Sequence, residues 1–254
     1  MSGRSIKAAL TAAACFIVVG CFLLILFNGT LSLPVKSRFI PAHKTVSGSE
    51  SSDKIEESGY QSFEEYIYDT VFIGDSRTNA LAVYELVPVK NVLAKDGENH
   101  RSARTEKIIA APSGKAVTIA QAVAEMKPVR MMVSFGINGV SFMDEESFIE
   151  EYALFLDELH QASPDSIIIV QSILPVSKSY ETQKPTLSNQ KIDRYNKLLK
   201  QLAEQKGFAF LDSSAVLKDK NNALDQKYDR GDGLHYNKAA YEALLQFYNK
   251  NRIG

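Results

Sequence analysis

The sequence predicts an α/β fold, a parallel sheet with helices on both of its faces. Two observations carry this. Five short runs are apolar at successive positions of their centres, as strands covered on both faces must be. Between them lie longer segments whose apolar residues recur at helical spacing. A third observation says where function should lie. Turn-forming and polar residues gather directly after the runs, and ligands of such sheets bind beyond the carboxyl ends of the strands.

The first run is Val71-Phe72-Ile73, which stops at Gly74-Asp75-Ser76. A helix is expected from about Arg77. Residues 88–94, PVKNVLA, form the second strand candidate. Val117 to Met126 reads as a helix ended by Lys127-Pro128, because a residue before proline is pushed out of helical geometry. Residues 129–135, VRMMVSF, are the third strand. From Glu145 to His160, Phe148, Tyr152, Phe155, Leu156 and Leu159 share one helical face, and Ser163-Pro164 ends it. Residues 166–173, SIIIVQSI, are the fourth strand, and Pro175 opens a polar loop. Ser188 to Lys206 is a helix with Gly207 as its stop signal. Phe208 to Leu211 is the fifth strand, and a last helix runs from about Asn237 to Asn249.

The chain has 254 residues, 45% hydrophobic, with a formal net charge of -1. That balance argues against a nucleic-acid binder or a polybasic lipid-binding surface. No charged residue occurs from Ala8 to Phe27, a run about long enough to cross a bilayer as a helix. Arg4 and Lys7 precede it. A cleaved signal has a shorter apolar core, roughly 7–15 residues. Residues 1–27 are therefore expected to be one uncleaved N-terminal transmembrane helix, a signal anchor with the folded domain outside the cytoplasm. Lys36, Arg38 and Lys44 on the other flank weaken the charge bias behind that orientation.

Cys15 and Cys21 both lie in the apolar run. Six positions apart on one helix, they point in different directions and do not bridge. Val18-Val19-Gly20-Cys21 looks like a lipoprotein processing box, but residues 22–27 stay apolar where a lipoprotein turns polar. Cys21 is expected as a membrane-buried cysteine. Residues 28–60 carry Pro34, Pro41 and the polar stretch SGSESSD, a composition that reads as a tether. Residues 61–254 suit one catalytic-sized domain.

The polar groups after the strands suggest nucleophilic chemistry. Gly74-Asp75-Ser76 follows the first strand, Gly97 the second, Gly136-Ile137-Asn138 the third, and Asp212-Ser213-Ser214 the fifth. Asp232-Gly233-Leu234-His235 precedes the last helix. A serine hydroxyl needs a base to take its proton, and the base needs a group to fix its tautomer. His235 is placed to be that base for Ser76. Asp232, three residues earlier, is preferred to Asp229 as its partner. An oxyanion needs preorganised donors. The Ser76 N–H at a helix start, the Asn138 side chain and the Gly97 N–H are the candidates.

Three blocks, FIGDSRT, SFGINGV and DGLHYN, occur in that order across the whole domain. With them the sequence resembles the GDSL-type esterases of the SGNH hydrolase superfamily. The resemblance implies a three-layer α/β/α sandwich with a five-stranded parallel sheet. It implies Ser76 as nucleophile, His235 as base and Asp232 as its partner, with oxyanion donors from Ser76, a glycine and Asn138. The chain departs from the pattern twice. Gly139 follows Asn138 where the family usually has Asp or Glu, and the block around Gly97 lacks its usual surroundings.

The expected activity is hydrolysis of an ester through an acyl-enzyme, with no cofactor. A small-molecule or carbohydrate ester is the expected substrate, and the family makes deacetylation of a cell-envelope or extracellular carbohydrate the specific expectation. The polar loop from Ser177 to Asn189 points the same way, to a small acyl group on a polar carrier. Two alternatives use the same residues or scaffold: an O-acyltransferase, and a binding module without catalysis. Arg77 is a possible contact for a polar or anionic substrate. His100 reads as a loop residue, His160 as a helix C-terminal cation, and His43 lies in the tether. None of these histidines shows metal-ligand spacing.

Overall fold

The computed structural model describes residues 62–254. The expected transmembrane segment and tether, with Cys15, Cys21 and His43, lie outside these residues. Among the described residues no helix is long and apolar enough to cross a membrane.

Helix α1 (Phe63–Tyr68) leads into β1 (Thr70–Gly74), and α2 (Ser76–Val83) follows at once. Next come β2 (Val92–Ala94) and a hairpin of β3 (Ile109–Ala110) with β4 (Ala116–Val117). Then come α3 (Ile119–Met126), β5 (Arg130–Ser134), the one-turn helix α4 (Ile137–Val140) and the long α5 (Glu145–Ala162). The chain ends through β6 (Ile167–Gln171), α6 (Lys178–Gln183), α7 (Asn189–Lys206), β7 (Ala209–Leu211) and α8 (Lys238–Lys250).

Five strands form one sheet in the order β2-β1-β5-β6-β7, and every neighbouring pair is parallel. Adjacent strand residues belong to opposite faces. Val71, Ile73, Met131, Val133, Ile168 and Val170 pack with α3, α5 and α7. Phe72, Met132, Ile169 and Leu211 pack with α1, α2 and α8. The strand centres are apolar at successive positions because each face is buried, and three layers result.

The chain builds β2 on one side of β1 and then returns to place β5 on the other. The strand order reverses there, which opens a crevice at the carboxyl ends of β1 and β5. Gly74 pairs with Ser134. The loops carrying Ser76 and Asn138 therefore leave the sheet side by side.

Three expectations shift. The second strand is short, because Val89–Asn91 is a turn of 3₁₀ helix. Pro88 has no N–H to give a ladder. Buried Asn91 instead donates its side-chain amide to Tyr68 O at 2.7 Å and Thr70 O at 2.9 Å. Helix α3 starts two residues later than Val117, because Thr118 caps it in a reciprocal box with Gln121. The polar stretch after Pro175 is not all loop, since Ser177 caps α6 within it.

Candidate active site

Ser76 opens α2, and Asp75 is its N-cap. The first N–H groups of a helix have no intrahelical acceptor. The Asp75 carboxylate takes the Arg77 N–H at 3.0 Å, which leaves the Ser76 N–H directed out of the helix start. Ser76 is half-buried. Its Oγ lies 3.1 Å from His235 Nε2, across 159 residues of sequence.

The other imidazole nitrogen, Nδ1, lies 2.7 Å from Asp232 Oδ2. A carboxylate at that distance accepts the Nδ1–H, so the Nε2 lone pair faces the Ser76 hydroxyl. Asp232 Oδ1 also accepts the backbone N–H of His235 at 2.7 Å and of Leu234 at 2.9 Å. Partial burial works against ionisation of Asp232, but the hydrogen bonds from His235 and Leu234 outweigh it and hold its pKa down to about 2. Asp229 is used otherwise, binding the Gly231 and Gly233 N–H groups and shaping the loop. Gly233 has φ +75, and a Cβ there would sit 2.2 Å from Ser177 Oγ, so only glycine fits this turn. The Ser76-His235-Asp232 chain is open to solvent at its far end, with the Asp232 side chain 49% exposed.

Asn138 lies in α4, one loop away. Its amide nitrogen donates to Glu98 O at 2.7 Å and, at a longer 3.4 Å, to Asp75 Oδ2. Asp75 is fully buried, and that burial lifts its pKa to about 6 against the pull of the Arg77 guanidinium. Gly97 occupies a turn closed by Glu98 N–H to Lys95 O at 3.3 Å, with φ +80. Asp96 beside it accepts from Asn79 of α2 at 3.0 Å. The glycine turn is thus latched to the nucleophile helix through Asp96 and to Asn138 through Glu98. Among the described residues no group of His, Cys, Asp and Glu side chains is placed to hold a metal ion.

Two residues are far more buried than their sequence surroundings suggest. Arg77, expected as a possible substrate contact, is only 6% exposed. Its guanidinium points into the protein, onto the backbone carbonyls of Leu174 and Leu234. His100 lies in the loop after β2, as read from the sequence, and is fully buried there. It sits edge-on to Phe148, with ring centroids 4.4 Å apart, and its Nε2–H donates to Phe148 O at 3.1 Å. Burial drives its pKa down to about 3, so the ring is neutral. No local pattern could have shown either role, because both depend on partners far along the chain.

His100 also accounts for Gly139. A Cβ on Gly139 would lie 2.9 Å from His100 Cε1 and 3.0 Å from the Phe148 ring. An imidazole fills the space beside Asn138, so no side chain fits there. Gly139→Ala is expected to cost about 1–3 kcal/mol by overpacking. Combined with His100→Ala, the cost should be well below the sum of the two singles. Denaturant unfolding of the four proteins checks this, and additive losses would separate the two positions.

The GDSL-like lipase/acylhydrolase family matches residues 72–243, more than half of the chain. Among solved structures, a protein of Streptococcus pneumonia provisionally named a platelet activating factor matches with a TM-score of 0.57 and 20% identity, over 74% of this chain and 90% of that one. A GDSL-like lipase from Bacteroides thetaiotaomicron gives a TM-score of 0.54 and 17% identity, over 75% and 98%. The acetylxylan esterase Axe2 from Geobacillus stearothermophilus gives 0.50 and 20%, over 73% and 94%. These likenesses are of fold. No curated protein matches the chain. By the extent of the family match, the chain belongs to the GDSL-like lipase/acylhydrolase family and is a carboxylic ester hydrolase of the SGNH type.

Proposed function

We propose that the protein removes small acyl groups, acetyl first among them, from a carbohydrate, through a Ser76-His235-Asp232 triad. The observation that carries the triad is the unbroken line Ser76 Oγ, His235 Nε2, His235 Nδ1, Asp232 Oδ2, at 3.1 and 2.7 Å. Ser76 Oγ attacks the ester carbonyl while His235 Nε2 takes its proton. The C=O π pair moves onto oxygen, and the Ser76 N–H, the Asn138 amide and the Gly97 N–H stabilise the oxyanion. Collapse expels the alkoxide, which His235 protonates. Water, deprotonated by the same imidazole, then attacks the acyl-Ser76 and releases the acid. Asp232 holds the tautomer throughout and balances the imidazolium charge.

Support for a small acyl group on a polar carrier comes from the polar Ser177–Asn189 segment and the exposed Asp232 end of the triad. The Axe2 likeness in fold is consistent with it. The charge-free run from Ala8 to Phe27 after Arg4 and Lys7 supports an uncleaved membrane anchor, with this domain outside the cytoplasm. Aryl acetate and aryl esters of longer acids, offered to the full chain in detergent, test the acyl preference. The acetate is expected to be turned over at least tenfold faster, in kcat/KM, than an eight-carbon ester, the scale of discrimination that pocket contacts supply. A preference for the longer acid overturns the small-acyl reading.

A further inference from the structure

We infer that Arg77 is a positioning residue, an internal clamp that holds the histidine loop in register with the nucleophile helix. The inference rests on the triad reading above and extends it. Arg77 sits next to Ser76 on α2, yet its guanidinium reaches two distant segments. Nε and one terminal nitrogen both donate to Leu234 O, at 3.1 and 2.9 Å. The other terminal nitrogen, Nη1, donates to Leu174 O at 2.9 Å, and Nη2, which already serves Leu234 O, also makes a longer bond of 3.4 Å to Pro175 O. Its carbon lies 4.7 Å from the centre of the Tyr236 ring.

Leu234 and Tyr236 flank His235. Leu174 and Pro175 follow β6, and the Tyr236 hydroxyl donates to the same Pro175 O at 2.7 Å. One planar cation therefore joins the start of α2, the segment just after β6 and both neighbours of the base. The Ser76–His235 contact spans elements that share no local sequence, so something must fix their separation. Asp232 cannot do it, because its bonds to Leu234 and His235 lie within the same loop. Tyr84 ties the far end of α2 to Tyr236 O at 3.1 Å and Ser177 N–H binds Gly233 O at 2.8 Å, while Arg77 ties the end of α2 that carries Ser76. A guanidinium presents several N–H groups in a rigid fork, and a lysine ammonium is a single point on a flexible stem. An error of 1 Å in the placement of a catalytic group can cost about 10²-fold in rate.

The test uses the full chain in detergent, with Arg77→Lys and Arg77→Gln beside the wild type and Ser76→Ala. Rates are normalised to the folded fraction by circular dichroism. Arg77→Lys is expected to lower kcat on aryl acetate by about 10- to 100-fold with KM within about twofold. Hydrogen exchange should quicken in residues 231–236 while β5 and β6 keep their protection. Millimolar guanidinium should restore part of the Arg77→Gln rate, which a merely destabilised protein would not show. A kcat within twofold of wild type in either variant, or unchanged exchange in residues 231–236, overturns the clamp. If wild type and Ser76→Ala turn over alike, the triad reading falls. The exchange data and the Ser76–His235 distance in a structure of Arg77→Lys then judge the clamp without it.

Discussion

Ser76→Ala is expected to lower kcat on aryl acetate by about 10⁴- to 10⁶-fold, the scale seen when a catalytic nucleophile is removed from a triad. The geometry gives the reason. The hydroxyl stands 3.1 Å from a ring nitrogen whose lone pair faces it, because the opposite nitrogen is committed to Asp232. His235→Ala should cost about as much. The Ser76→Ala, His235→Ala double variant should be no worse than either single, because each step needs both groups. Asp232→Asn is expected to do less harm, about 10²- to 10⁴-fold. The Asn side chain keeps an acceptor for the loop N–H groups but loses the charge that balances imidazolium. Initial rates from protein purified away from host esterases decide this. A Ser76→Ala rate within tenfold of wild type sinks the triad. A double variant that loses the product of the two single losses would mean that serine and histidine act separately.

The sheet and the Asp232–His235 pair were legible in the sequence because both are written in local signals, whereas the approach of His235 to Ser76, 159 residues away, followed only from the order of the three blocks. Val71-Phe72-Ile73 is apolar at successive positions because its residues go to alternate buried faces. The GDS turn and the DxxH spacing each fit within one loop, where Asp232 reaches His235 without help from elsewhere. Positions whose meaning comes from distant partners were not legible. Arg77 bonds to carbonyls 97 and 157 residues away, and nothing near it in sequence distinguishes it from a surface arginine. Gly139 looked like a lost carboxylate because His100, which takes its space, arrives from the loop after β2. The second strand is shorter than residues 88–94 because Pro88 and Asn91 take residues 89–91 out of the ladder. Residues 1–61, which carry the expected anchor, lie outside what the fold addresses.

Asn138→Ala is expected to lower kcat by about 10²- to 10³-fold with little change in KM, since an oxyanion donor acts on the transition state more than on the bound ester. In the resting site both amide hydrogens have acceptors, and the two bonds are unequal. The 2.7 Å bond to Glu98 O fixes the side chain to the glycine turn, and the 3.4 Å bond to Asp75 Oδ2 is the weaker. A developing oxyanion outcompetes a long bond sooner than a short one, so the hydrogen now shared with Asp75 is the one it takes. If Asn138 serves the oxyanion as proposed, Asp75 is expected to act as a placeholder that aims the amide before substrate arrives. Asn138→Asp should be worse than Asn138→Ala. It sets a second carboxylate beside one whose pKa burial has already raised to about 6, and it turns a donor into an acceptor where negative charge develops. Steady-state kcat and KM for both variants decide the matter. A loss confined to KM would make Asn138 a ground-state contact. An Asn138→Asp enzyme as active as Asn138→Ala would remove the placeholder role from Asp75.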